Sequence, residues 1–199
     1  MVTYSIRLHT DKWSIEVGWA NVHVGKQIVR DGFNIVLCSP DLVTAMALDY
    51  KKRKIADDAE TFTEYDKLVN TYCGIPYKQS CVSKICFLVS IHLSVDEHSY
   101  DEINGDWNFY LYDEKDNRYK PSRVVPYKSK TEHAVVSSGY SPFQPYGLTK
   151  DFTVYFDNWD TQKNPILTKD TSFITFAVAG SPGQGKAEFI FTSPDKVKK

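Results

Sequence analysis

Long apolar runs are missing from these 199 residues. No uninterrupted stretch approaches the ~18 residues of a membrane-crossing helix, so no helical span is expected. Net charge is nearly missing too, at −1. No overall field therefore draws the chain to nucleic acid or to an anionic membrane, and no nucleic-acid partner is expected. The opening residues, MVTYSIRLHTDKWSIEV, hold no basic region followed by an apolar core, so no signal peptide is read there. That suits a cell-envelope or secreted protein whose export signal has been removed, with a cytoplasmic protein as the alternative. The chain has no G-x-S-x-G and no cysteine in a recognised catalytic setting, so no catalytic residue is assigned. No cofactor and no metal ligand set is assigned either.

What is present is material for a core. Hydrophobic residues make up 42% and aromatics 14% of the chain. That is enough for a globular fold and too much for disorder, and the length fits one domain over 1–199. Residues 84–125, KICFLVSIHLSVDEHSYDEINGDWNFYLYDEKDNRYKPSRVV, organise the rest. Ile85, Phe87, Val89, Ile91 and Leu93 alternate with Cys86, Leu88, Ser90 and His92, so one face of a strand is fully apolar. Trp107, Phe109 and Leu111 then alternate with Asn108, Tyr110 and Tyr112. Asp113-Glu-Lys-Asp-Asn117 interrupts them, and its Asp and Asn side chains favour a turn. Pro121 marks an edge or a strand end.

The flanks read as further strands. Val2 to Leu8, Trp13 to Trp19 and Phe33 to Leu37 alternate, and Val22 and Val24 continue the second run with the phase shifted by one. Later strands are expected at 134–136, 152–156, 172–179 and 187–191, between loops rich in Pro, Gly, Ser, Asp and Asn. Ser39-Pro40-Asp41 is a helix start, with a capping Ser and a first-position Pro. Val43, Met46, Ala47 and Tyr50 follow at helical spacing to about Ile55. Asp57, Asp58 and Thr61 break the pattern. Phe62, Tyr65, Leu68, Val69 and Tyr72 form a second amphipathic helix closed by Gly74. The fold class is therefore mainly β, an antiparallel β-sandwich of immunoglobulin-like kind with a two-helix insertion at residues 40–73.

Four cysteines are present, Cys38, Cys73, Cys81 and Cys86. In an exported protein they allow two disulfides, and Cys73 with Cys81 closes a compact loop around Gly74 and Pro76. Buried free thiols are the other reading.

Three motifs are weighed and set aside. Gly180-Ser-Pro-Gly-Gln-Gly-Lys186 matches G-x-x-x-x-G-K, but Ala187 stands where a magnesium-binding hydroxyl is needed and a strand follows where a helix should start. A hairpin loop is expected instead. His92, Asp96, Glu97, His98, Asp101 and Glu102 are a cluster without recognised ligand spacing, read as a solvated acidic loop. Lys51-Lys-Arg-Lys54 ends the first helix, where the helix dipole favours cations. The aromatics Tyr140, Phe143 and Tyr146 in a Pro/Gly/Ser loop, with Trp159 beyond, are the candidate contact surface for a protein or glycan partner. The alternative is that these rings pack on the core.

The run WNFYLYDEKDNRYKPSRVV, followed by Phe152-Thr-Val-Tyr-Phe156, resembles bacterial exported lipoproteins with immunoglobulin-like sandwiches. There the hairpin runs as aromatic strand, acidic turn and Tyr-x-Pro, which Tyr119-Lys-Pro121 matches. This chain differs in lacking the lipidated cysteine and in carrying the two helices. The resemblance implies a cell-envelope location and a non-catalytic role, and it transfers no functional residue. The expected function is a non-catalytic envelope or secreted module that binds a protein or surface component. The alternatives are a carbohydrate-binding module or a hydrolase with a dispersed site, for which His92 or His98 beside a carboxylate in a deep pocket would be the sign. Oligomeric state is not legible.

Overall fold

The structure is a computed structural model and describes residues 14–24, 27–54, 57–74, 76–77, 81–94, 100–126 and 147–191. Strands β1 (Ser14–Val24), β2 (Gln27–Leu37), β5 (Lys84–Ser94), β8 (Arg123–Pro126) and β9 (Gly147–Asp157) form one antiparallel sheet in the order β1-β2-β5-β9-β8. Strands β6 (Asn108–Tyr112), β7 (Arg118–Tyr119), β10 (Phe173–Ala179) and β11 (Gln184–Ile190) form a second, ordered β11-β10-β6-β7. A two-stranded ribbon, β3 (Pro76–Tyr77) with β4 (Cys81–Val82), stands apart. The expected strands at 2–8 and 134–136 lie outside the described residues.

The two sheets pack face to face through the alternating residues that the sequence marks. Phe33, Ile35 and Leu37 of β2 and Ile85, Phe87, Val89, Ile91 and Leu93 of β5 are buried. So are Phe152, Val154 and Phe156 of β9. Phe109, Leu111, Ile174, Phe176, Val178, Ala187 and Phe189 meet them from the second sheet in the same core. The rings interlock at the tilted and edge-on angles that the ring quadrupole prefers, with Phe87 4.7 Å from Phe176 and Phe109 5.2 Å from Phe152. Burying one such ring is worth about 1.5–3 kcal/mol. The phase shift in the first run is a bulge: the β1–β2 register slips between Gly18 and Ala20, which carries one extra residue into the strand.

The helical insertion falls where expected, as α1 (Pro40–Lys54) and α2 (Asp58–Leu68) followed by a π-helical turn (Val69–Cys73). Ser39 caps α1, its Oγ accepting from Leu42 N–H at 3.2 Å. Asp57 caps α2, its carboxylate accepting from Glu60 N–H at 2.8 Å. The expected break at Asp57 to Thr61 is therefore a cap and a first turn, and Thr61 donates its hydroxyl to the Asp57 carbonyl at 2.7 Å. Gly74, at φ +70°, ends the insertion, and a Cβ there would collide with Ser83 Oγ. The expected amphipathic face of α2 is not buried: no residue of α2 is, and Phe62 is 65% exposed. The insertion is anchored through Val43 and Ala47 of α1 and through Cys73 of the π-helical turn. A short helix that the sequence analysis did not mark, α3 (Tyr100–Asn104), connects the sheets and buries Ile103.

Gly180-Ser-Pro-Gly183 is the hairpin loop between β10 and β11. Gly180 N–H donates to the Gly183 carbonyl at 2.9 Å and Gly183 N–H returns at 3.2 Å. Lys186 lies within β11, its Nζ 4.8 Å from the Tyr112 ring centre, where no helix start could cradle a phosphate.

Candidate functional site

The groove at one end of the sandwich is built from a loop that occurs twice. Asp113-Glu-Lys-Asp-Asn117 follows β6, and Asp160-Thr-Gln-Lys-Asn164 follows β9. In the first, the Asp113 carboxylate accepts from the N–H groups of Lys115 and Asn117, both at 2.9 Å, and from Asn117 Nδ2 at 2.9 Å. In the second, Asp160 accepts from the N–H groups of Gln162 and Asn164, both at 2.8 Å, and from Asn164 Nδ2 at 3.1 Å. The fourth residue of each loop is left-handed, Asp116 at φ 61° and Lys163 at φ 63°. The cause is the D-x-x-x-N spacing. The Asp side chain caps the two N–H groups that a tight turn leaves unsatisfied, and Asn closes the ring. The loops differ six residues after the Asp, where Tyr119 donates its hydroxyl to Asp113 at 2.9 Å and the second loop has buried Ile166.

Between the loops lies an open groove of about 360 Å³, lined by Asp113, Glu114, Asp160 and Asp170 against Lys115, with Tyr119 and Asn164. Partial burial works against ionising Asp113, but hydrogen bonds from Asn117, Tyr119 and Lys115 outweigh it and hold its carboxyl below the usual range. The Asn164 N–H groups hold Asp160 down in the same way. Glu114 is lowered by the Ser172 N–H that it accepts. Burial and the adjoining Asp113 push the Tyr119 hydroxyl up to about 12. Near neutrality the carboxylates are thus fixed acceptors and the phenol a fixed donor.

Asn158 fixes the second loop from beneath. It is fully buried, donates to the carbonyls of Val82 and Leu167 at 2.8 and 2.9 Å and accepts from Leu167 N–H at 2.6 Å.

Of the residues expected to make contact, Tyr140, Phe143 and Tyr146 lie outside the described residues. Trp159 is half-buried and forms an isolated β-bridge with Pro165, which closes the neck of the second loop. His92 lies on β5. Its ring neighbours include Asn34 at 3.4 Å and Thr149 at 3.3 Å along the outer face of the large sheet, and Asp151 there is engaged by the Ser90 hydroxyl. His98 is outside the described residues. Among the described residues no group of three His, Cys, Asp or Glu side chains could hold a metal ion, and no helix is long and apolar enough to cross a membrane.

Cys38, Cys73 and Cys86 are free, buried thiols. The Cys73 Sγ faces the Cys38 carbonyl at 3.7 Å. The side chain of Cys81 lies outside the described set. The signal in the sequence for the groove residues 160–171 is the repeated D-x-x-x-N.

Comparison with family models, with curated proteins and with solved structures finds no match to this chain.

Proposed function

We propose that this chain is a non-catalytic β-sandwich binding module, and that the groove between the two Asp/Asn loops is its contact for a basic, donor-rich segment of a protein partner. The observation that carries this reading is the locking of Asp113 and Asp160 by their own loops. Asp113 accepts four internal hydrogen bonds and Asp160 three, which hold both carboxylates ionised and fixed in place. Four carboxylates against one lysine give the groove a negative field that complements Lys and Arg side chains. The rigid loops cost little ordering entropy on binding.

The immunoglobulin-like relationship rests on the strand pattern and the hairpin resemblance, and an envelope or secreted location on that resemblance and the reading of the opening residues. The three free thiols favour the alternative, a reducing compartment.

The test is calorimetry of the chain with a short lysine- and arginine-rich peptide, repeated with the Glu114→Gln/Asp170→Asn double variant. Both residues are exposed, and glutamine keeps an acceptor for the Ser172 N–H. The expected result is saturable binding that weakens about two- to tenfold in the variant. Equal binding by both proteins would overturn the assignment of the groove. Saturable binding of an oligosaccharide in place of the peptide would transfer the site to the carbohydrate-binding reading.

A further inference from the structure

The outer face of the large sheet carries a pair of thiols that the binding reading does not use. Leu37 of β2 pairs with Phe87 of β5, and the antiparallel register sets the next residue, Cys38, opposite Cys86. Cys38 N–H donates to the Cys86 carbonyl at 2.9 Å. In such a hydrogen-bonded pair the Cα atoms sit about 5.5 Å apart, inside the range that a disulfide spans. Their chain neighbours, Leu37 before Cys38 and Phe87 after Cys86, point into the core between the sheets, so Cys38 and Cys86 share the opposite face. The adjacent Cys38 and burial hold the Cys86 thiol up. Cys73, the last residue of the π-helical turn, leans on the Cys38 carbonyl from above. All three are buried.

We propose that Cys38 and Cys86 are an oxidation site, a dithiol that closes to a cross-strand disulfide beneath the helical insertion when hydrogen peroxide reaches it. The thiolate of one cysteine attacks the peroxide O–O bond, giving a sulfenic acid and releasing hydroxide. The other thiol then attacks that sulfur, the S–S bond forms, and water leaves with its proton. Two thiols are oxidised and one peroxide is reduced to two waters.

The cover over the pair is thin, which supplies the access. Of the insertion, α1 buries Val43 and Ala47, whereas α2 buries nothing and leaves Phe62 exposed. Segments with so little buried surface open locally at small cost. While the cover is closed, burial pushes the Cys73 thiol up to about 11 and Cys86 is raised as well. The closed form is protected, and opening sets the rate.

The test treats the reduced, folded full chain with hydrogen peroxide, alkylates the remaining thiols in denaturant and maps peptides without reductant. The expected result is a Cys38 peptide joined to a Cys86 peptide, two of the four thiols no longer alkylated, and a mass lower by two hydrogen atoms before alkylation. Cys73→Ser should leave that link in place, and the wild-type map stands by itself should that variant fold poorly. A link through Cys73 or Cys81, a sulfinic acid in place of a link, or four alkylated thiols after peroxide would overturn the proposal.

Discussion

The Phe87 ring of β5 lies 4.7 Å from the Phe176 ring of β10, centre to centre, so interior strands of the two sheets touch directly. Phe176 also meets Phe33, Phe109 and Phe156. Truncating it removes the shared partner of four rings. Phe176→Ala is expected to cost about 3–5 kcal/mol, read as a lower urea midpoint at unchanged slope. A loss below about 1 kcal/mol would mean that the sheets are not held together at this ring.

Asn158→Asp tests the support of the second loop. The amide group donates to two carbonyls in a site closed to solvent. A carboxylate there would face those carbonyls without a proton to offer. The expected cost is about 2–4 kcal/mol near neutral pH. Asn158→Asp with wild-type stability would remove Asn158 from this role.

Acid should loosen the loops before the core. Asp113 and Asp160 have folded-state pKa values below the ordinary 3.8. Their contribution is therefore complete above that value and is lost as pH falls through the lowered ones. Urea midpoints should start to fall at about pH 4 and keep falling below it as these carboxyls take up protons, and Asp160→Asn should flatten part of that slope. An unchanged slope in the variant would show that Asp160 gains nothing from its loop.

Gly180 is required by a close approach. A Cβ there would lie 2.5 Å from Trp107 Cε3, and the ring is held by its indole N–H donating to the Ile103 carbonyl at 3.0 Å. Gly180→Ala is expected to destabilise by about 1–3 kcal/mol through overpacking. Pairing it with Trp107→Leu should recover part of the loss, as a double-mutant cycle would show. Strict additivity would mean that the ring is not the obstacle.

The β framework was legible because period-two alternation survives wherever one face is buried: Ile85 to Leu93 and Phe33 to Leu37 fall on the core face as their spacing implies. The helical insertion was legible from Ser39-Pro40 and Gly74, which are local signals. The unburied α2 was not, because the stripe from Phe62 to Tyr72 shows which side is apolar but not whether anything covers it. The groove was not legible as a groove. Asp113 and Asp160 stand far apart in sequence, and only the packing of the two sheets brings their loops together. Cys38 and Cys86 could be paired only once the β2–β5 register was fixed, since spacing alone pointed to Cys73 and Cys81.

The most direct test of the groove as a binding surface is an NMR titration of the isotope-labelled chain with a lysine- and arginine-rich peptide, following backbone amides. Saturable shifts concentrated at residues 113–119 and 160–171, and weakening as salt is raised, are the predicted result. No saturable shift, or shifts centred on the exposed α2 face instead, would contradict the account.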